Sequence, residues 1–281
     1  MTQTTASSSG IQIITSRVRG FASNAVLLTG ELEAVLVDTA LLVSDTQAII
    51  DAVKASGKDL KTVLVSHAHP DHYFGVDLVR AAFPGAKVYA RRPVIDQMSE
   101  FKAKIIHWQE GYAGELPTTL TPPEQLNLGR VECEDRAIEL IDLYMVESLF
   151  ATAFYLPGEK TLIAADLVYS GAHRYMADVG DPDAWIGELT RVRDAYEIAR
   201  VIPGHGPAGG PELIEASIRY LETWKEVAQP GIRVVEIARQ MVERYPDYDL
   251  PLILWLTRGP AFGLAGARDL GVPAELRHSL Q

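Results

Sequence analysis

Three of the seven histidines in this 281-residue chain fall within six positions, in Ser66-His67-Ala68-His69-Pro70-Asp71-His72. Imidazole nitrogens and a carboxylate are natural donors for zinc and similar divalent cations. The apolar run KTVLVS ahead of the cluster reads as a strand, and Pro70 prevents that strand from simply continuing. In an extended stretch residues i and i+2 point the same way, so His67 and His69 can grip one ion. Past the turn, Asp71 and His72 can face a second. Three unrelated surface histidines are the plain alternative, and their clustering with an aspartate weighs against it.

The run H-A-H-P-D-H resembles the HxHxDH signature of the metallo-β-lactamase superfamily. The resemblance extends over most of residues 11–210. It implies that Asp166, in TLIAAD, bridges two metals and that His205, in IPGHG, is the last histidine ligand. It also implies that Asp38, in AVLVDTA, supports the motif loop from behind. One motif departs. The family places a histidine nineteen residues ahead of the bridging aspartate, and here that position is Glu147, with no histidine between His107 and His173. Two readings of Glu147 compete. It ligates the first metal beside His67 and His69, or it turns away and leaves that metal weakly held. An unpaired carboxylate aimed at a metal cavity is costly, which favours ligation. Asp71, Glu147 and Asp166 then bring three negative charges. That weakens the metals as Lewis acids and widens tolerance from zinc, the expected pair of ions, to manganese or iron(II).

The elements that must position these residues follow from apolar patterning. Residues 11–18, 24–29 and 33–38 read as consecutive strands, followed by a helix over about 46–55 that ends at Gly57. A helix over 74–82 and the strand KVYA come after the histidine cluster. Residues 105–125 show neither period and read as a long loop, of the length that serves as a lid or a binding loop. Strands are expected over 131–134, 138–144, 149–155 and 161–165, then a helix over 182–198 and the strand VIPGHG. Helices covering both faces of two mixed sheets make an α/β fold, the four-layer αββα sandwich that the family implies. The expected organisation is a disordered tail at 1–10, a domain at 11–210 and a helical extension at 211–281 packed on it.

Composition bounds the function classes. Lys plus Arg number 26 and Asp plus Glu 37, a net charge of −11, with 47% hydrophobic and 22% charged residues. Such acidity without a basic cluster argues against nucleic acid as a partner. The single cysteine, Cys133, excludes an internal disulfide and reads as a packing residue. The opening MTQTTASSSG lacks a basic stretch followed by an apolar run, and no apolar run approaches a bilayer span, so a cytoplasmic protein with no membrane partner is expected. Apolar residues in TRGPAFGLAGARDLG suggest a homodimer contact.

Two bridged divalent ions would supply hydroxide and polarise a carbonyl, so hydrolysis of a small-molecule substrate is expected, with Asp71 orienting the nucleophile and protonating the leaving group. The family's β-lactamases generally carry Cys or Ser where Asp166 stands, and PGHGPAGGPEL lacks the glutathione-binding stretch of its thioesterases. A lactone or carboxylic ester remains. Lactonases of the superfamily place a tyrosine three residues after the bridging aspartate, as Tyr169 stands here, where a phenol can donate to a developing oxyanion. Tyr73, Phe74, Trp108, Tyr112 and His173 are candidate substrate contacts, with core packing as the alternative for each. His107 and His278 read as surface and tail. Two other readings keep the fold: a mononuclear iron dioxygenase of the persulfide type, and a degenerate metal-binding member in which Glu147 has ended catalysis.

Overall fold

The near-continuous apolar runs of the first third become strands buried on both faces. Strands β1 (Gln3–Ala6), β2 (Ile11–Thr15), β3 (Asn24–Thr29) and β4 (Glu33–Val37) form an antiparallel meander. Helix α1 (Val43–Ser56) crosses to β5 (Asp59–Leu64), which pairs parallel with β4. Helices α2 (Pro70–Tyr73) and α3 (Val76–Ala82) lead to β6 (Lys87–Ala90), parallel to β5. Helices α4 (Arg92–Gln97) and α5 (Phe101–Trp108) precede β7 (Glu124–Gln125), which closes the seven-stranded sheet in the order β1 to β7.

The second sheet begins with the antiparallel strands β8 (Arg130–Cys133), β9 (Arg136–Tyr144), β10 (Phe150–Leu156) and β11 (Thr161–Tyr169). Helix α6 (Pro182–Ala195) returns the chain to β12 (Arg200–His205), parallel to β11. Helices α7 (Glu212–Val227), α8 (Val234–Arg244) and α9 (Ile253–Leu256) follow. The computed structural model describes residues 2–6, 10–109, 111–112, 114–178 and 181–256. Residues 257–281, with the TRGPAFGLAGARDLG segment and His278, lie outside the described residues, as does the side chain of His107.

Strand alternation builds the four layers. Val26, Leu28, Val35, Val37 and Leu64 of the first sheet meet Phe154, Leu156, Ile163 and Ile202 of the second in the central core. The intervening Ala25, Leu27, Ala34 and Leu36 face α1 and α3 on one outer side, with Ile49, Val53, Val76 and Val79. On the other, Ala151, Ala153, Leu162 and Ala164 pack under α6 and α7 through Trp185, Leu189, Tyr220 and Trp224. The sandwich is therefore αββα. No described helix is long and apolar enough to cross a membrane.

Two expectations change. Gln3–Ala6, inside the segment read as a disordered tail, pair in register with Gln12–Thr15. The long loop at 105–125 starts later, because Ile105–Trp108 are the last turn of α5. That turn carries Ile105 and Trp108 onto the outer core and belongs to a helical run that began at Arg92.

Candidate metal centre

The seven residues singled out for metal converge at one end of the sandwich, four from the first sheet and three from the second. His67 and His69 lie in the extended segment just beyond β5, and His69 is the residue before α2, with φ −91° and ψ 141°. Pro70 opens α2, where its fixed φ suits the first helical position and its missing N–H costs nothing. The turn swings Asp71 and His72 round to a second face of the same cavity. Glu147 sits in the β9–β10 hairpin, where Met145 N–H donates to Leu149 O and Val146 N–H to Ser148 O. Asp166 lies in β11 where the pairing with β12 shifts register, beside Ala165 at φ +46°. Such an irregularity re-aims a side chain, here toward the cavity. His205 ends β12 between two glycines. A Cβ at Gly204 would overlap Asp166 Oδ1, and one at Gly206, at φ +86°, would overlap Ser170 O.

Two groups of donor atoms result, His67, His69, Glu147 and Asp166 in one and Asp71, His72 and His205 in the other, with atoms inside each within 4.8 Å. In the first, Glu147 Oε2 lies 3.7 Å from His67 Nε2 and 2.6 Å from His69 Nδ1. In the second, Asp71 Oδ2 lies 3.6 Å from His72 Nε2 and 3.4 Å from His205 Nε2. Asp166 reaches both: Oδ2 is 3.6 Å from His67 Nε2 and 3.2 Å from His205 Nε2, while Oδ1 is 3.3 Å from His72 Nε2.

Every one of the four histidines has its outward nitrogen engaged. His67 Nδ1 meets Ser66 Oγ at 2.9 Å, His69 Nε2 meets Asp178 Oδ2 at 2.7 Å, His72 Nδ1 meets Asp38 Oδ2 at 3.0 Å and His205 Nδ1 meets the Phe21 carbonyl at 2.7 Å. Asp38 also accepts from Ser66 N–H and Oγ–H, so one buried carboxylate braces two positions of the motif loop. Partners of this kind set the tautomer and ring plane of metal-binding histidines. The inward His67 Nε2, His72 Nε2 and Asp166 Oδ1 are buried and without a hydrogen-bond partner. Buried polar atoms rarely stay unpaired, and these converge with the nitrogen and oxygen chemistry that divalent cations take. The residues fit a metal pair, and Glu147 faces inward with His69.

The charges are mutually adjusted. Burial opposes a protonated His72, but Asp166, Asp71 and Asp38 raise its pKa well above the ordinary value. Burial likewise works against an ionised Asp166, yet His205, His72 and His67 hold it well below the carboxylate range. Burial, with His72 nearby, pushes His67 far down. For His69 burial is outweighed by Glu147 and Asp178, which raise it to about 10. Glu147 is pushed up to about 7 by burial, against the pull of His69.

These groups open into a cavity of about 720 Å³ lined by Phe21, Trp108, Leu149, Ile253 and Leu256 on its apolar side. Tyr169 also lines it, stacked on His205 with ring centroids 4.6 Å apart. Its hydroxyl donates to Asp166 Oδ2 at 2.7 Å and lies 3.5 Å from Glu147 Oε1, so the phenol expected to meet an oxyanion is committed to two carboxylates. Trp108 does border the cavity. Tyr112 does not: it is buried behind Trp108, under the Arg19 guanidinium. Tyr73 and Phe74 are core residues against Phe101, because a helix turns about 100° per residue and α2 with His72 facing the site points Tyr73 away. His173 is also misplaced as a substrate contact. The chain turns away after β11, and His173 is buried against Tyr220 and Tyr248, its pKa lowered to about 4 by burial.

Three residues at the cavity carried no signal in the sequence. Asp178 holds His69 and accepts from Tyr175 Oη–H at 3.0 Å, and Lys104 of α5 donates to Ala68 O at 2.9 Å. Only Asp178 and Tyr175 are close in sequence, and no fixed spacing links any of the three to the histidine cluster.

A family model described as the metallo-beta-lactamase superfamily matches residues 18–205. A metallo-beta-lactamase type 2 from Bacteroides fragilis is 25% identical over 210 residues, which span 73% of this chain and 77% of that protein. A hydroxyacylglutathione hydrolase from Albidiferax ferrireducens is 42% identical over 66 residues, 23% of this chain and 24% of that protein. The solved structure of a metallo-beta-lactamase from Pontibacter korlensis superposes with a TM-score of 0.66 at 20% identity, covering 79% of this chain and 99% of that one.

Proposed function

The chain belongs to the metallo-beta-lactamase superfamily, and on that premise we propose that it is a dinuclear metal-dependent hydrolase of a small carboxylic ester or lactone. The observation that carries the reading is the convergence of seven donor residues in two adjoining groups, with Asp166 reaching both and the buried His67 Nε2, His72 Nε2 and Asp166 Oδ1 without a hydrogen-bond partner. A pair of divalent cations supplies hydroxide near neutral pH and draws electron density from a carbonyl oxygen. His67, His69, Glu147 and Asp166 would hold one ion, and Asp71, His72 and His205, with Asp166 reaching across, the other.

The remaining work falls to the chain. Asp71 lines the cavity with one carboxylate oxygen against His72 and His205, so the other is placed to orient the attacking water and pass its proton to the leaving oxygen. Tyr169 fixes the Asp166 carboxylate through its 2.7 Å hydrogen bond, and its stacking on His205 keeps that ring edge-on to the cavity. The apolar wall from Phe21 to Leu256 and the volume of about 720 Å³ suit a small acyl group or lactone ring and displace water around it.

The test is metal analysis joined to turnover. The chain is loaded with zinc, manganese or iron(II) in turn and assayed on lactones, aryl esters and thioesters. Two equivalents of metal and turnover of an oxygen ester are expected, with turnover lost in Asp71→Ala and Asp166→Ala while the fold is kept. Less than one equivalent from metal-replete solution overturns the reading.

A further inference from the structure

Among the described residues lining the cavity, Lys104 is the only lysine or arginine. Its ammonium is tied to the Ala68 carbonyl, between His67 and His69, and it forms no ion pair with any described residue. An ammonium has three donors, so two remain for a ligand. The half-buried setting lowers its pKa, against the opposing pull of Asp178 and Glu100.

Most of the nearby carboxylates are otherwise engaged. Asp178 is bound to His69 and Tyr175, and Glu100 is exposed. Asp71, Glu147 and Asp166 lie in the donor groups, where bound cations would take up their charge. A loaded site would thus leave Lys104 as a cavity-lining cation with donors open to a ligand. We propose that the substrate carries a carboxylate and that Lys104 takes it while the ester or lactone carbonyl sits at the paired donor groups. This rests on the hydrolase reading above.

The loaded protein is assayed on 4-nitrophenyl hydrogen adipate and on 4-nitrophenyl hexanoate, which differ by the distal carboxylate. A kcat/KM preference for the adipate ester of about tenfold or more is expected, consistent with one charge-assisted hydrogen bond in a partly desolvated site. Lys104→Met should collapse that ratio toward unity through KM, and Lys104→Arg should retain most of it. A purely structural role for Lys104 would lower both rates together and leave the ratio unmoved. Binding of adipate and hexanoate anions, by calorimetry, decides the case independently of turnover, with the same tenfold difference expected in wild type and lost in Lys104→Met; Lys104→Gln replaces the Met variant if that fails to fold. Equal treatment of the two probes in wild type, or a ratio unchanged by removing the ammonium, overturns the proposal. If neither ester is hydrolysed the hydrolase reading fails, while the anion-binding ratio still judges Lys104.

Discussion

Replacing Asp178 with alanine should weaken one metal site and spare the other. His69 is held from both sides, with Nε2 2.7 Å from Asp178 Oδ2 and Nδ1 2.6 Å from Glu147 Oε2. With Asp178 accepting the Nε2 proton, the Nδ1 lone pair is left for a cation. Loss of such an outer partner typically costs 10- to 100-fold in metal affinity. The Asp178 side chain is 41% exposed, so water can replace part of the hydrogen bond and the loss belongs at the lower end. About tenfold, or ~1.4 kcal/mol, is expected in Asp178→Ala, and less in Asp178→Asn, which keeps an acceptor. Chelator competition resolves the two binding steps. The step assigned to His67, His69 and Glu147 should weaken, and the step assigned to Asp71, His72 and His205 should hold. Unchanged affinity at both steps, or equal weakening of both, would refute the argument that Asp178 acts by orienting His69.

Glu147→Gln keeps the side chain's size but removes its charge, so bound zinc should fall from two equivalents toward one; elemental analysis after dialysis checks this. Metal affinity should rise with pH. His69 must lose its proton to ligate, and Glu147 and Asp178 keep that proton on until about pH 10, so the gain is up to ~10-fold per unit between about pH 7 and 9. Competition titrations across that range, flat in pH, would contradict the His69 assignment. Gly204→Ala places a methyl on Asp166 Oδ1 and the Ala165 main chain, and is expected to abolish metal uptake even where a thermal melt shows the fold retained. Trp185→Ala empties a buried site and frees the Leu167 carbonyl, costing about 3–5 kcal/mol in denaturant titration.

What the sequence made legible was local. The histidine cluster lies in one six-residue run, and the strand ahead of it, with Pro70 behind, already implies two faces. Asp166, His205 and Glu147 were found through the resemblance, which implies an aspartate, a last histidine and a ligand position nineteen residues ahead of that aspartate. Residues that depend on a turn of direction were misread. Tyr73 and Phe74 follow the ligands in sequence but rotate into the core within one helical turn, and His173 leaves the site because the chain bends toward α7 after β11. Lys104, Tyr175 and Asp178 were invisible for the opposite reason: they come from α5 and from an irregular segment, and only packing brings them together.

Four candidate donors hang from one leaf of the sandwich and three from the other, so an ion seated there would rivet the two leaves together. Its grip would resist prising them apart, and occupancy would become a component of mechanical integrity as well as of reactivity. At a hundredfold excess over Kd such a rivet adds about 2.7 kcal/mol to the folded state. Stripping it should let the leaves part first at the ends of β5 and β11, where exchange of amide hydrogens would quicken well before the helices on the outer faces unwind.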